Sequence, residues 1–185
     1  MTTALIVGDL QAGIVDNYPF AAAVLPVVEK AIAAARGAGV PVIFIRFGLR
    51  SSGTDIAAAN PLIRGFYEAG TRFHEDSPET RVHARIAPLP GEEVVLKRRA
   101  SAFGGSDLDR LLRAQGVDSI VLTGVATSAL IAATLYDAGD RDYHVTVLSD
   151  GCADGEADVH EFLVGRVFPA RGADVVTGEE WIARL

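Results

Sequence analysis

One cysteine, Cys152, stands in 185 residues, too few for an intramolecular disulfide or a Cys-rich metal site, and this agrees with a reducing compartment. No apolar run approaches the roughly 20 residues needed to span a bilayer. The opening MTTALIVGDLQAG lacks the basic and long apolar regions of a signal peptide, so a cytoplasmic protein with no membrane partner is expected. Basic residues are scattered apart from Lys97-Arg98-Arg99, and the net charge is −7, which argues against a nucleic-acid surface. Of four histidines, His74, His83 and His160 lie in polar stretches and His144 opens a strand, with no His-x-His or His-Glu-x-x-His spacing. Neither a metal nor a cofactor is expected. There is no Gly/Ser linker, low-complexity run or internal repeat.

What is present suits one ordered domain over residues 1–185: 49% hydrophobic and 22% charged residues, enough to bury a core. Short β-branched runs alternate with Ala/Leu-rich stretches of helical spacing. The pattern predicts strands at Ala4–Gly8, Pro41–Phe47, Glu93–Lys97, Ser119–Thr123, His144–Ser149 and Asp174–Val176. Helices are predicted at Phe20–Gly39, where Val24, Val27, Val28, Ala31, Ile32 and Ala35 form a stripe, at Ser106–Gln115 with Ser106 as N-cap, at Thr127–Ala138, and from Ala157 to Val167. Strands apolar on both faces and separated by helices describe a doubly wound α/β fold around a mostly parallel six-stranded sheet. Gly48–Pro90 holds four of the eight prolines and reads as a short helix near Pro61–Ala69 plus long loops, of the kind that often cover a binding site.

In such a sheet ligands bind beyond the carboxyl ends of the strands, where strand order reverses. Asp9 follows the first strand, Lys97 ends the third, and Gly124-Val125-Ala126-Thr127 leads from the fourth into a helix. A carboxylate directly after ALIVG is poorly solvated and needs a cation or a raised proton affinity. Lys97 would supply the cation; equally, Asp9 could cap a loop and Lys97 lie on the surface beside Arg98 and Arg99. The turn GVAT either offers helix-start N–H groups to an anionic oxygen or is a tight connection and nothing more. Cys152, beside an apolar strand, reads better as a buried small side chain than as a reactive thiol.

Four segments in order, ALIVGDLQAGIV, VVLKRRASAFGGSDLDRLLR, TGVATSALIAATLYDA and YHVTVLSDGCAD followed by a helix with His160, resemble the isochorismatase-like hydrolases, the cysteine hydrolase or nicotinamidase-related family. The resemblance implies that Asp9 and Lys97 occupy two positions of a catalytic triad, with Leu130 where the nucleophilic cysteine belongs. It implies a substrate pocket touching Val125, Ala126, Leu130 and Phe103, with the Val125–Ala126 peptide at the position that is commonly cis. It also implies a homo-oligomer, a dimer or tetramer, for which the Ala-rich helix after strand four is suited. The Asp-x-His motif of metal-binding amidases in this family has no counterpart here.

Leucine cannot attack a carbonyl, so a cysteine amidase is not expected. Isochorismatases proper also lack the cysteine and hydrolyse a vinyl ether with the aspartate as general acid. They carry a small residue where Leu130 would intrude on the crevice, and a histidine where this chain has Thr127-Ser128, so isochorismate itself is not the expected substrate. Two functions remain: an Asp9-dependent hydrolase or lyase acting on a small metabolite, with anionic ones among the candidates, and a catalytically retired member that binds a metabolite or a partner protein.

Overall fold

Neither face of the apolar runs meets water, and that is what assembles them into a sheet. The computed structural model describes residues Met1–Leu185. Its strands are β1 (Thr3–Gly8), β2 (Val42–Phe47), β3 (Glu93–Lys97), β4 (Ser119–Val125), β5 (His144–Ala153) and β6 (Asp174–Val176). They form one sheet in the order β3-β2-β1-β4-β5-β6, with every neighbouring pair parallel. Because successive side chains point to opposite faces, Ala4, Ile6, Ile43, Ile45, Ile120 and Leu122 pack with Leu108, Leu112 and Leu135 of the helices on one side. Leu5, Val7, Val42, Phe44 and Val121 pack on the other against Val28, Ala31, Ile32 and Ala35.

Helix boundaries differ from the expected ones where backbone chemistry intervenes. The stretch expected as one helix from Phe20 is two, Pro19–Ala23 and Leu25–Gly37, joined at Val24. Pro26 has no N–H to continue the first helix and sits instead in the opening turn of the second. Asp107 rather than Ser106 holds the cap position of helix Leu108–Ala114, although Ser106 Oγ accepts from the Leu108 N–H at 3.3 Å. The stretch after β4 opens with a wide turn, Thr127–Ile131, in which the Ile131 N–H reaches back to the Ala126 carbonyl at 3.2 Å, before helix Ala132–Gly139. The stretch from Ala157 is likewise a helix to Phe162 followed by a wide turn, Leu163–Val167. Strand β5 runs to Ala153 rather than Ser149, because a register shift after Leu122 lets Cys152 and Ala153 pair with Gly124 and Val125.

The irregular segment from Gly48 onward carries helix Pro61–Glu68 and three short 3₁₀ turns. It folds over the end of β2 through a small separate cluster of Phe47, Leu49, Ile63 and Phe73. No helix is long and apolar enough to cross a membrane.

β1 and β4 meet closely at their carboxyl ends, where Gly8 stands opposite Gly124. A Cβ on Gly124 would lie 2.0 Å from the Gly8 carbonyl oxygen, and its φ of +120° is one that side chains rarely adopt. Gly124→Ala is therefore expected to lower unfolding stability by about 2–4 kcal/mol in urea titrations. Gly65→Ala, on the exposed face of helix Pro61–Glu68 with nothing near the new methyl group, is expected to leave stability unchanged or raise it by up to about 1 kcal/mol.

Candidate active site

The chain moves outward from β1 to β2 and β3, then crosses back to β4, so strand order reverses between β1 and β4. Asp9 sits just past β1 with φ of +54°, a left-handed conformation that aspartate tolerates better than most residues. Its N–H continues the β1–β2 ladder by donating to the Ile45 carbonyl at 3.0 Å. Two residues on, buried Gln11 extends that ladder with its side chain: Nε2 donates to the Phe47 carbonyl at 3.0 Å and Oε1 accepts from the Phe47 N–H. The end of β2 is thereby fixed beside Asp9.

Lys97 must span β2 to reach Asp9, because β2 lies between β3 and β1. Its Nζ passes 4.9 Å from the Phe47 ring centroid and lies 2.8 Å from Asp9 Oδ2, while donating to the Arg99 carbonyl at 3.0 Å. Both side chains are nearly withdrawn from solvent, with 3% and 11% exposed. A lysine on the surface and an aspartate capping a loop do not describe this pair. Asp9 Oδ1 is buried with no hydrogen-bond partner, so only one carboxylate oxygen is compensated. Burial, the larger influence, raises the Asp9 carboxyl above its ordinary range, and the Lys97 charge and hydrogen bond oppose it.

A cavity of about 300 Å³ opens beside this pair. Val125 and Ala126, joined by a cis peptide, form one wall together with Ala129 and Leu130; the roof is Leu62, Ile63, Phe66 and Phe73 from the segment after Gly48. Leu130, 2% exposed, was expected to intrude but leaves the cavity open. The reason is Gly8, whose absent side chain makes room for it: a Cβ there would fall 1.9 Å from Leu130 Cδ2. The wide turn is held from outside by the Thr127 hydroxyl against His160 Nδ1, 2.8 Å, and by the Ser128 N–H donating to Asp154 Oδ2, 2.7 Å.

Phe103 does not line the cavity. The segment after β3 is docked onto helix Ala132–Gly139 by Ser101 Oγ donating to Asp137 (2.6 Å) and the Ala102 N–H donating to Thr134 Oγ1 (2.9 Å). Phe103 is thus turned into the core, stacked on Tyr143 with ring centroids 5.8 Å apart. Cys152 is also absent from the cavity wall; it is 3% exposed in the core and burial pushes its thiol far up. The histidines are dispersed: His74 stacks on Tyr67 and His83 lies 3.5 Å from Asp16. No three His, Cys, Asp or Glu side chains converge as a metal-binding group.

Sequence reasoning missed the aromatic lining of Phe47, Phe66 and Phe73 and, above all, Arg99, which also faces the cavity. The signal for Arg99 was its place two residues past Lys97 at a strand end, obscured because Lys-Arg-Arg reads as a solvated charge run.

A model of the isochorismatase domain matches residues 3–180. Ureidoacrylate amidohydrolase RutB of Stutzerimonas stutzeri is 33% identical over 171 residues, covering 80% of this chain and 68% of its own length. The uncharacterized isochorismatase family protein YecD of Escherichia coli O157:H7 is 28% identical, covering 100% of this chain and 96% of its own. Among solved structures, a cysteine hydrolase from Pseudomonas syringae pv. phaseolicola superposes with a TM-score of 0.91 at 28% identity, covering 99% of this chain and 92% of that one. N-carbamoylsarcosine amidase from Thermoplasma acidophilum superposes with a TM-score of 0.82 at 26% identity, covering 97% and 98%.

A raised carboxyl holds its proton in the folded state over a range where the unfolded chain has lost it. The stability contributed by protonated Asp9 is therefore complete below the unfolded range and fades as pH rises through the folded midpoint. A ¹³C titration of the Asp9 carboxyl is expected to show a midpoint above the ordinary value of about 3.9. Lys97→Met, which removes the opposing charge, is expected to move that midpoint higher still. A midpoint at or below the ordinary value overturns this account.

Proposed function

The chain belongs to the isochorismatase family, and from that premise we propose that it is a hydrolase working without a thiolate, with Asp9 as general acid and base toward a small molecule. The observation that carries the reading is the open cavity of about 300 Å³ beside a buried, lysine-paired carboxyl. Such a pair is weak support for stability, since apolar replacements are often neutral or better, so its retention next to a cavity favours use.

The amidohydrolase and amidase relatives are named for amide substrates. In this chain the thiol is buried in the core and a leucine walls the cavity beside Asp9. An acyl-enzyme route has no nucleophile here, and the reaction assigned is hydrolysis of an enol ether or a chemically similar bond. The pair rests ionised; Asp9, once it has taken up a proton, delivers it to the enol carbon, and the C=C electron pair forms the new C–H bond. Water adds to the resulting oxocarbenium carbon, and the C–O bond to the departing alcohol breaks as the carbonyl forms. One proton of the added water restores Asp9, and the second, carried on the hydroxyl of the adduct, passes to the departing alkoxide as the carbonyl forms. A carboxyl with a raised proton affinity is suited to the first step, and Lys97 stabilises the carboxylate it leaves behind.

The second reading, a retired member that binds without turning over, draws on Leu130 at the position of the family's nucleophile. The two separate on turnover. With enol-ether acids, ureidoacrylate and N-carbamoylsarcosine as a panel, product is expected from enol ethers alone. Asp9→Asn is expected to lower kcat by 10²-fold or more under conditions where circular dichroism shows the variant folded, although its unfolding midpoint falls because Lys97 is left buried without its partner. Undiminished turnover in Asp9→Asn removes Asp9 from the chemistry, and ligands that bind but are never altered favour the retired reading.

A further inference from the structure

The charges on the cavity wall do not cancel. Sixteen residues line it, thirteen of them apolar; the rest are Asp9, Lys97 and Arg99. Asp9 and Lys97 neutralise each other at 2.8 Å. Arg99 is half-buried, and its guanidinium donates to two backbone carbonyls, those of Arg98 at 2.6 Å and Asp55 at 2.9 Å, with no carboxylate paired to it. Its neighbour Arg98 differs, being held by Glu75 at 2.5 Å and lying 4.0 Å from Asp55. Two of the five guanidinium N–H donors of Arg99 are thus used to fix its position, and three remain.

We infer that Arg99 is the specificity-determining residue of this cavity and that the ligand it selects is a monocarboxylate with a flat, unsaturated or aromatic body. This rests on the proposed function for the location of the site, and makes no use of the reaction. A fixed, partly desolvated guanidinium is a strong receptor for a carboxylate, which it meets through two parallel hydrogen bonds. A neutral ligand would dry the guanidinium without replacing its water. A second negative charge would lie among Phe47, Phe66 and Phe73 with no cation of its own, because Lys97 is committed to Asp9. The same three rings offer faces and edges to a planar body, and the volume suits a compact molecule.

The test is calorimetric binding of cinnamate, cinnamamide and phenyl phosphate to the full chain near neutral pH, in wild type and variants. Cinnamate is expected to bind at least tenfold more tightly than cinnamamide and than the dianionic phosphate ester. Arg99→Met is expected to abolish the preference for acid over amide. Arg99→Lys, which keeps the charge and loses the planar fork, is expected to retain part of it, and this guards against a folding defect in the methionine variant. Asp9→Asn is expected to keep the preference for acid over amide while, by freeing Lys97, weakening the discrimination against the phosphate ester, so loss of turnover in that variant bears on the hydrolase reading alone. Equal binding of acid and amide, binding of neither, or a preference that survives Arg99→Met overturns the inference.

Discussion

A lysine reaching across a strand to a carboxylate is the constraint around which this molecule's ligand end is arranged. β2 separates Asp9 from Lys97, so the pair forms only if the end of β2 stays low and apolar beneath the ammonium group. Phe47 provides that surface, and Gln11 holds the Phe47 backbone with both atoms of its side-chain amide. Breaking one partner would leave the other charge buried and unpaired, a defect of several kcal/mol. The three strand ends are therefore interdependent, and the cavity floor is rigid for electrostatic reasons as much as for packing.

The opposite wall is governed by size. Gly8 and Gly124 let β1 and β4 approach until no side chain fits between them, and the space above Gly8 is taken by Leu130. The bulk of Leu130 is thus absorbed downward, into the floor, and the room beside Asp9 is preserved. Leucine at this position is compatible with an open site because of a glycine more than a hundred residues earlier in the chain.

What was legible in the sequence follows from which interactions are local. Strands buried on both faces announce themselves as β-branched runs, and the switch-point rule then nominates Asp9, Lys97 and the Val125–Ala126 turn without any knowledge of side-chain direction. Phe103 was misplaced because its orientation depends on two distant hydrogen bonds, to Asp137 and Thr134, that leave no mark on the local pattern. Arg99 was passed over for a related reason. Arg98 and Arg99 look alike in the sequence, and only the fold gives one a glutamate and the other a pair of carbonyls. The break at Val24, by contrast, was written in Pro26 and needed only local rules.

The roof over the cavity has a further consequence. Phe47, Leu49, Ile63 and Phe73 form a cluster of four buried residues set apart from the two large cores, with Ile14, Ile56, Phe66 and Tyr67 packed against it. A flat guest between those rings would act as the missing piece of that cluster. Occupancy and local order would then be thermodynamically linked, each raising the other by mass action. On this view a bound ligand is a temporary part of the hydrophobic interior.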